Sequence, residues 1–316
     1  MDVLDTVLSN SIEQLKNYVS QELGETGIDV MDYDDALMPN IHIETIKDKS
    51  MHIPARCLLL CELMYDANFD SVDEKTAVVE LTKMLESKNV IGVEVTAVVK
   101  RIQHPVGIFK FGETTYVISR GSTTAIDFVT NLYVGMTRAF QSEIHSGFYL
   151  SYASKADAVQ RIISESKNVV FSGHSSGGSV SAIHAAKYFS TTGIEPTLIT
   201  FGAPRISNKN FQEFILNYTN HTRFVTDNDI VPDLPRPTVV METLKDYFPW
   251  LADKHVTLNA FSKAQVTKVN AQLNEEPEKL DVAKTAAGII SHRFDNYMKS
   301  FLRHVEKRAM DCCLLC

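Results

Sequence analysis

The residues best suited to bond-making chemistry stand together in Val169-Val170-Phe171-Ser172-Gly173-His174-Ser175-Ser176-Gly177-Gly178-Ser179-Val180. An apolar strand runs into Gly-His-Ser-Ser-Gly and then into a helix rich in small residues. A serine on such a tight strand-to-helix turn projects its hydroxyl above the sheet edge, and the flanking glycines let backbone pack closely around a strained residue. A serine hydroxyl is a weak nucleophile. It needs a histidine to take its proton and a carboxylate to orient that histidine. In sites of this kind both partners follow the serine in sequence. Thr226-Asp227-Asn228-Asp229-Ile230-Val231-Pro232-Asp233 offers three carboxylates, Asp227, Asp229 and Asp233, and residue type alone does not rank them. The histidines beyond are His255, His292 and His304, all candidate bases. Charge developing on a carbonyl oxygen calls for two further donors. The backbone N–H of Ser176 is one, and Ser119-Arg120-Gly121-Ser122 supplies the N–H of Ser122 as the other.

A sheet edge must hold these groups. Residues 90–102, 107–111 and 115–119 are rich in Val, Ile, Phe and Tyr, with Pro105 and Gly112 at turns, and predict a meander. Beyond Gly121 the pattern alternates: helix 123–132, helix 145–166, strand 168–172, helix 178–189, strand 197–201, helix 208–217 and strand 222–226. Strands separated by helices predict an α/β fold with a mostly parallel central sheet and helices on both faces. Upstream, the apolar spacing from Val3 to Leu23 predicts an N-terminal helical extension that docks on the body. An acidic connection with Asp29, Asp32, Asp34 and Asp35 follows. Asp32-Tyr33-Asp34-Asp35 lacks the Gly and distal Glu of an EF-hand loop, so it reads as solvated and not as a calcium site. Cys57 and Cys61 share a helix face with Leu60 and Met64 and read as core residues. The expected organisation is residues 1–50 as extension, 51–302 as the catalytic body and 303–316 as a tail.

Composition removes several alternatives. The 316 residues are 44% apolar and 22% charged, the profile of a folding globular chain. Net charge is 31 − 39 = −8 without a Lys/Arg cluster, which argues against a nucleic-acid partner. The first residues lack the cationic flank and apolar core of a secretory signal, and no apolar run reaches the roughly 18 residues of a membrane span. Five cysteines bunched at two places do not form a disulfide framework. The chemistry sketched above requires neither a metal nor an organic cofactor.

Taken in order, several motifs resemble the lipase class 3 family, the fungal triacylglycerol lipase type of α/β-hydrolase. They are Ile118-Ser119-Arg120-Gly121-Ser122 with Asp127-Phe128-Val129-Thr130-Asn131-Leu132, Ile144-His145-Ser146-Gly147-Phe148 with Ser151-Tyr152, and Gly173-His174-Ser175-Ser176-Gly177-Gly178. Thr200-Phe201-Gly202-Ala203-Pro204-Arg205, Asn228-Asp229-Ile230-Val231-Pro232 and a late histidine follow. The resemblance spans about residues 90–300. It implies Ser175 as nucleophile, Asp229 as acid, and His292 as base, because Ser291-His292-Arg293-Phe294-Asp295-Asn296-Tyr297 resembles the family's His-x-x-x-x-Tyr stretch. His255 resembles an element that precedes a late strand, and His174 and His145 take structural positions. Thr123–Leu132 corresponds to the family's lid, with a packed amphipathic helix as the alternative. Two departures stand out. Ser176 is small and polar where the family carries a larger apolar residue, which alters one wall of the acyl pocket. The stretch from Asp233 to His292 is also long and polar.

The expected activity is hydrolysis of carboxylic esters of lipids, of the triacylglycerol lipase, diacylglycerol lipase or phospholipase A1 type. The alternative is a catalytically silent α/β-hydrolase that binds a membrane or a protein. Met310-Asp311-Cys312-Cys313-Leu314-Leu315-Cys316 contains a Cys-aliphatic-aliphatic-X pattern at Cys313, with Cys312 as a palmitoyl acceptor. With Arg303, His304, Lys307 and Arg308 upstream, these cysteines suggest a cytoplasmic protein anchored to the cytosolic face of a membrane.

Overall fold

A computed structural model of the chain describes residues 41–67, 69, 71–101, 104–123, 136–207, 209–226, 229, 231–233 and 292–314. The N-terminal helix, most of the acidic connection, the lid helix beyond Thr123, Asp227 and His255 fall outside the described residues.

The β-branched and aromatic segments form β1 (Val93–Val99), β2 (Val106–Phe111) and β3 (Thr114–Ser119), an antiparallel meander. β3 then pairs in parallel with β6 (Asn168–His174), β6 with β7 (Thr197–Phe201), and β7 with β8 (Asn220–Phe224). The six-stranded order is β1-β2-β3-β6-β7-β8. The register aligns the carboxyl ends of the parallel strands: Ser119 faces Gly173, His174 faces Phe201, and Phe201 faces Phe224. Every chain segment leaving those ends emerges at one edge, where open α/β sheets place their sites.

Side chains alternate between two cores, as the pleat demands. Tyr116, Ile118, Val170, Ile199 and Phe201 point to the face covered by α1 (His52–Asp66), α2 (Glu74–Ser87) and α7 (Phe294–Leu314). On α7 the buried residues Phe294, Tyr297, Met298, Phe301 and Val305 recur at helical spacing, so its buried stripe continues past residue 302. Val117, Val169, Phe171 and Leu198 point to the opposite face. There they meet α3 (Ser146–Ala153), α4 (Ala156–Ile162), α5 (Ser176–Thr192) and α6 (Lys209–Tyr218). This is the α/β-hydrolase arrangement, with a mostly parallel sheet and helices on both faces. Cys57 and Cys61 are buried in α1 as expected, and burial pushes the Cys57 thiol up to about 12.

Several elements differ from the sequence reading, which assigned no helix to α2 and took residues 303–316, most of them in α7, as a tail. A two-stranded ribbon, β4 (Met136–Ala139) with β5 (Ser142–His145), was not expected. Its turn residues Phe140 and Gln141 adopt φ of 50° and 57°, a left-handed conformation that sequence signals through Asn-Gly or Asp-Gly pairs, absent here. The helix expected over 145–166 is two helices, broken at Ser154 and Lys155. The Lys155 ammonium folds back to donate to Ser151 O at 2.7 Å and to Ser154 Oγ at 3.0 Å, and its amide bonds Tyr152 O.

Lys155 is 1% exposed, and burial lowers its ammonium to about 7 from 10.5. Burial and then Lys155 hold the His104 and His184 imidazoles down at about 3. Between pH 7 and 10.5 the unfolded chain therefore binds the lysine proton more strongly than the folded one, and folding gains stability as pH rises through that window. Lys155→Met, which removes the buried charge, is expected to melt above wild type at pH 7. The gap should shrink toward pH 10, as read by thermal melts across that range. A gap independent of pH would contradict the burial of a charged lysine.

Candidate active site

Ser175 occupies the turn between β6 and α5 with φ 56° and ψ −137°, outside the common regions for a residue with a Cβ. Backbone packing compels this conformation. A Cβ on Gly173 would run into the carbonyl carbon of Gly177, and one on Gly177 would strike Ser119 O and lie 2.7 Å from the Arg120 carbonyl carbon. The first turn of α5 thus sits backbone to backbone on the loop after β3. Ser175 N–H donates to Phe201 O at 2.9 Å, and Gly178 N–H donates to Ser175 O at 2.9 Å, fixing the turn from both sides.

Three elements bring a hydrogen-bonded chain to Ser175. His292, just before α7, places Nε2 2.8 Å from Ser175 Oγ. Its Nδ1 lies 2.8 Å from Asp229 Oδ2, in the segment after β8. A carboxylate accepts, so Nδ1 carries the proton and Nε2 is left to accept from the serine. The other carboxylate oxygen of Asp229 accepts from Val231 N–H at 2.8 Å, and Tyr297 Oη donates to Oδ2 at 2.5 Å. Burial and the adjacent carboxylate push the Tyr297 phenol well above its ordinary range, which keeps it a donor. Both side chains of the His–Asp pair are shielded from solvent, 1% and 0% exposed.

His174 supports His292 from beneath. Its Nε2 is 3.1 Å from the carbonyl oxygen of His292, which only accepts, so the proton sits on Nε2. Its Nδ1 then accepts from Tyr65 Oη at 2.9 Å. The two imidazoles stack at 4.9 Å. Burial first, and His292 second, hold His174 well below the usual histidine range, so it stays neutral. Arg223 braces the acid segment, with a guanidinium nitrogen 2.9 Å from Pro232 O.

The loop after β3 lies close to the serine: a Cβ on Gly121 would come within 3.2 Å of Ser175 Cβ. The N–H of Ser122, however, donates to Ser176 Oγ at 2.9 Å, and the two hydroxyl oxygens are 3.0 Å apart.

Comparison with known proteins bears on this geometry. Residues 116–239 match the model of the Lipase (class 3) family. A secreted mono- and diacylglycerol lipase 1 of Fusarium solani is 31% identical over 126 residues, 37% of this chain and 38% of that protein. Protein EDS1B of Arabidopsis thaliana is 36% identical over 100 residues, 28% of this chain and 16% of that one. The chain therefore spans well under half the length of either relative. Among solved structures, a native Rhizomucor miehei lipase propeptide complex superposes with a TM-score of 0.48 at 18% identity, over 60% of this chain and 64% of that one. A mono- and diacylglycerol lipase from Aspergillus oryzae gives 0.43 at 24% identity, over 48% and 61%.

The segment that matches the class 3 lipase model contains Ser122, Ser175, Ser176 and Asp229 but ends before His292, whose place as candidate base is supported by its distances to Ser175 and Asp229. Of the three carboxylates, Asp229 bonds the imidazole, Asp227 lies outside the described residues, and Asp233 ends a short 3-10 turn, Val231–Asp233. His304 is exposed on α7, twelve residues past His292, a rise of about 18 Å. Tyr297, Tyr65 and Arg223 were not assigned roles from sequence. Tyr297 had a signal, as the last residue of the His-x-x-x-x-Tyr stretch. Tyr65 and Arg223 had none, being brought near by the fold.

Tyr297 holds the Asp229 carboxylate in place through its hydroxyl. Tyr297→Phe removes one donor from a buried carboxylate that keeps two others, so kcat is expected to fall about tenfold with KM unchanged, the scale of one hydrogen bond to a charged group. Steady-state kinetics on a soluble ester checks this. A rise in KM at constant kcat would instead place the tyrosine in substrate binding.

Proposed function

We propose that this protein is a serine hydrolase that cleaves carboxylic esters of lipids. The observation that carries the reading is the Ser175–His292–Asp229 chain, with both links at 2.8 Å and its His–Asp pair buried beside a strained serine. The class 3 lipase segment and the acylglycerol lipase among the relatives support the choice of lipid esters.

In this reading Ser175 Oγ attacks the acyl carbonyl while His292 Nε2 takes its proton, and Asp229 stabilises the resulting imidazolium. The tetrahedral oxyanion receives hydrogen bonds from the N–H groups of Ser176 and Ser122. His292 returns the proton to the departing alkoxide, leaving an acyl-enzyme on Ser175. Water, deprotonated by the same imidazole, then attacks the acyl carbonyl and releases the fatty acid. Mono-, di- and triacylglycerol and phospholipid dispersions, each followed by fatty-acid release, test the substrate class. Turnover of one or more of them supports the proposal. Turnover restricted to small soluble esters would remove lipid from it.

Action at a membrane surface is part of the proposal and rests on sequence. No helix among the described residues is long and apolar enough to cross a membrane. Cys312 and Cys313, with Arg303, His304, Lys307 and Arg308 upstream, suit a lipid tether on a cytosolic face. Labelling with fatty-acid and isoprenoid analogues in eukaryotic cells, lost on replacing both cysteines by Ser, is the expected result.

A further inference from the structure

The residue after the nucleophile carries the strongest unexplained observation. The resting structure does not leave the Ser122 N–H open for an oxyanion, since it donates to Ser176 Oγ. Ser176 is fully buried and Ser122 is 7% exposed, so bulk water does not compete for this bond. The loop cannot easily withdraw, because Ser119, Arg120 and Gly121 rest against the backbone of Gly177. Rotation of a single hydroxymethyl group is the smallest movement that frees the N–H.

We propose that Ser176 is a positioning residue whose hydroxyl latches the oxyanion loop, holding the Ser122 N–H until the acyl oxygen acquires negative charge and displaces it. The inference rests on the hydrolase reading above. An ionised oxygen accepts roughly twice as strongly as a hydroxyl, so exchange is favoured as the tetrahedral intermediate forms and not by the neutral ester. In the resting state Ser176 Oγ has a second partner in Ser122 Oγ, 3.0 Å away. An apolar residue at this position, as the family resemblance leads one to expect, has no hydroxyl with which to form the latch. Ser176 thereby tunes the acylation step through Ser122, independently of substrate affinity.

The test is inactivation of the full chain by a fluorophosphonate, with kinact and KI measured separately for wild type, Ser176→Ala and Ser176→Thr, and folding checked by thermal melts. The latch predicts that Ala raises kinact about three- to tenfold, the scale of one neutral hydrogen bond, with KI unchanged. Thr, which keeps a hydroxyl, stays near wild type. A crystal structure of the wild-type adduct should show Ser122 N–H on the phosphonyl oxygen, released from Ser176 Oγ. Unchanged or lower kinact in Ala, or an adduct that retains the Ser122–Ser176 bond, overturns the latch. Should Thr not fold, Ala and the adduct structure decide. Absence of any adduct on Ser175 in folded wild type would remove the hydrolase reading and the latch with it, whereas an adduct without a gain in Ala removes the latch alone.

Discussion

Ser175→Ala is expected to lower kcat on dispersed acylglycerol by about 10⁶, to the level supported by binding and oxyanion donors alone. His292→Ala should fall to about the same level, and the double variant no further, because the two groups act as one unit across a 2.8 Å hydrogen bond. Asp229→Asn should lose about 10⁴, since an amide at that place favours the wrong imidazole tautomer. Thermal melts should show that the serine variant stays folded: its hydroxyl bonds the His292 imidazole, while the turn itself is held by Ser175 N–H to Phe201 O and Gly178 N–H to Ser175 O. Additive losses from Ser175→Ala and His292→Ala would show that the imidazole acts elsewhere than on the serine.

The largest expected effect on stability comes from Gly177→Ala. The added methyl would meet Ser119 O, the Arg120 carbonyl carbon at 2.7 Å and Gly121 N at 2.8 Å, all backbone atoms. None can swing aside as a long side chain would. α5 and the oxyanion loop must therefore separate, at a cost of about 4 kcal/mol and a fall in Tm of roughly 10 °C. Gly112→Ala is the comparison. Gly112 sits in the β2–β3 turn at φ 56°, where a methyl would meet nothing within 4 Å, so only the conformational cost of about 1 kcal/mol remains. Equal losses for the two substitutions, measured by denaturant unfolding, would show that close approach at the elbow is not what requires glycine there.

The sequence made the elbow legible because strand, glycines and helix adjoin one another, although Gly177 also answers to the distant backbone of residues 119–121. The parallel sheet was legible for the same reason, through alternation of apolar strands with amphipathic helices. The ribbon β4–β5 was not. Phe140 and Gln141 hold left-handed conformations that their residue types do not favour. The helix break at Lys155 was hidden because its cause is a buried ammonium bonding back to Ser151 O, while the residue type favours helix. Within the site, residue types narrowed the acid to three and the base to three, and the family resemblance pointed to Asp229 and His292. Distances among segments 63 and 117 residues apart bring that pair to Ser175. The Ser122–Ser176 bond was illegible in kind: sequence showed a polar residue in an apolar position, but not which group its hydroxyl engages.

Everything proposed for this site depends on Ser175 being an activated nucleophile. Fluorophosphonate labelling of the purified protein, with lipid micelles present and the adduct located by peptide mass, tests it most directly against Ser175→Ala and His292→Ala. One adduct is expected, on Ser175, and none in either variant. No adduct on a folded wild-type protein, or an adduct that persists when His292 is removed, would contradict it.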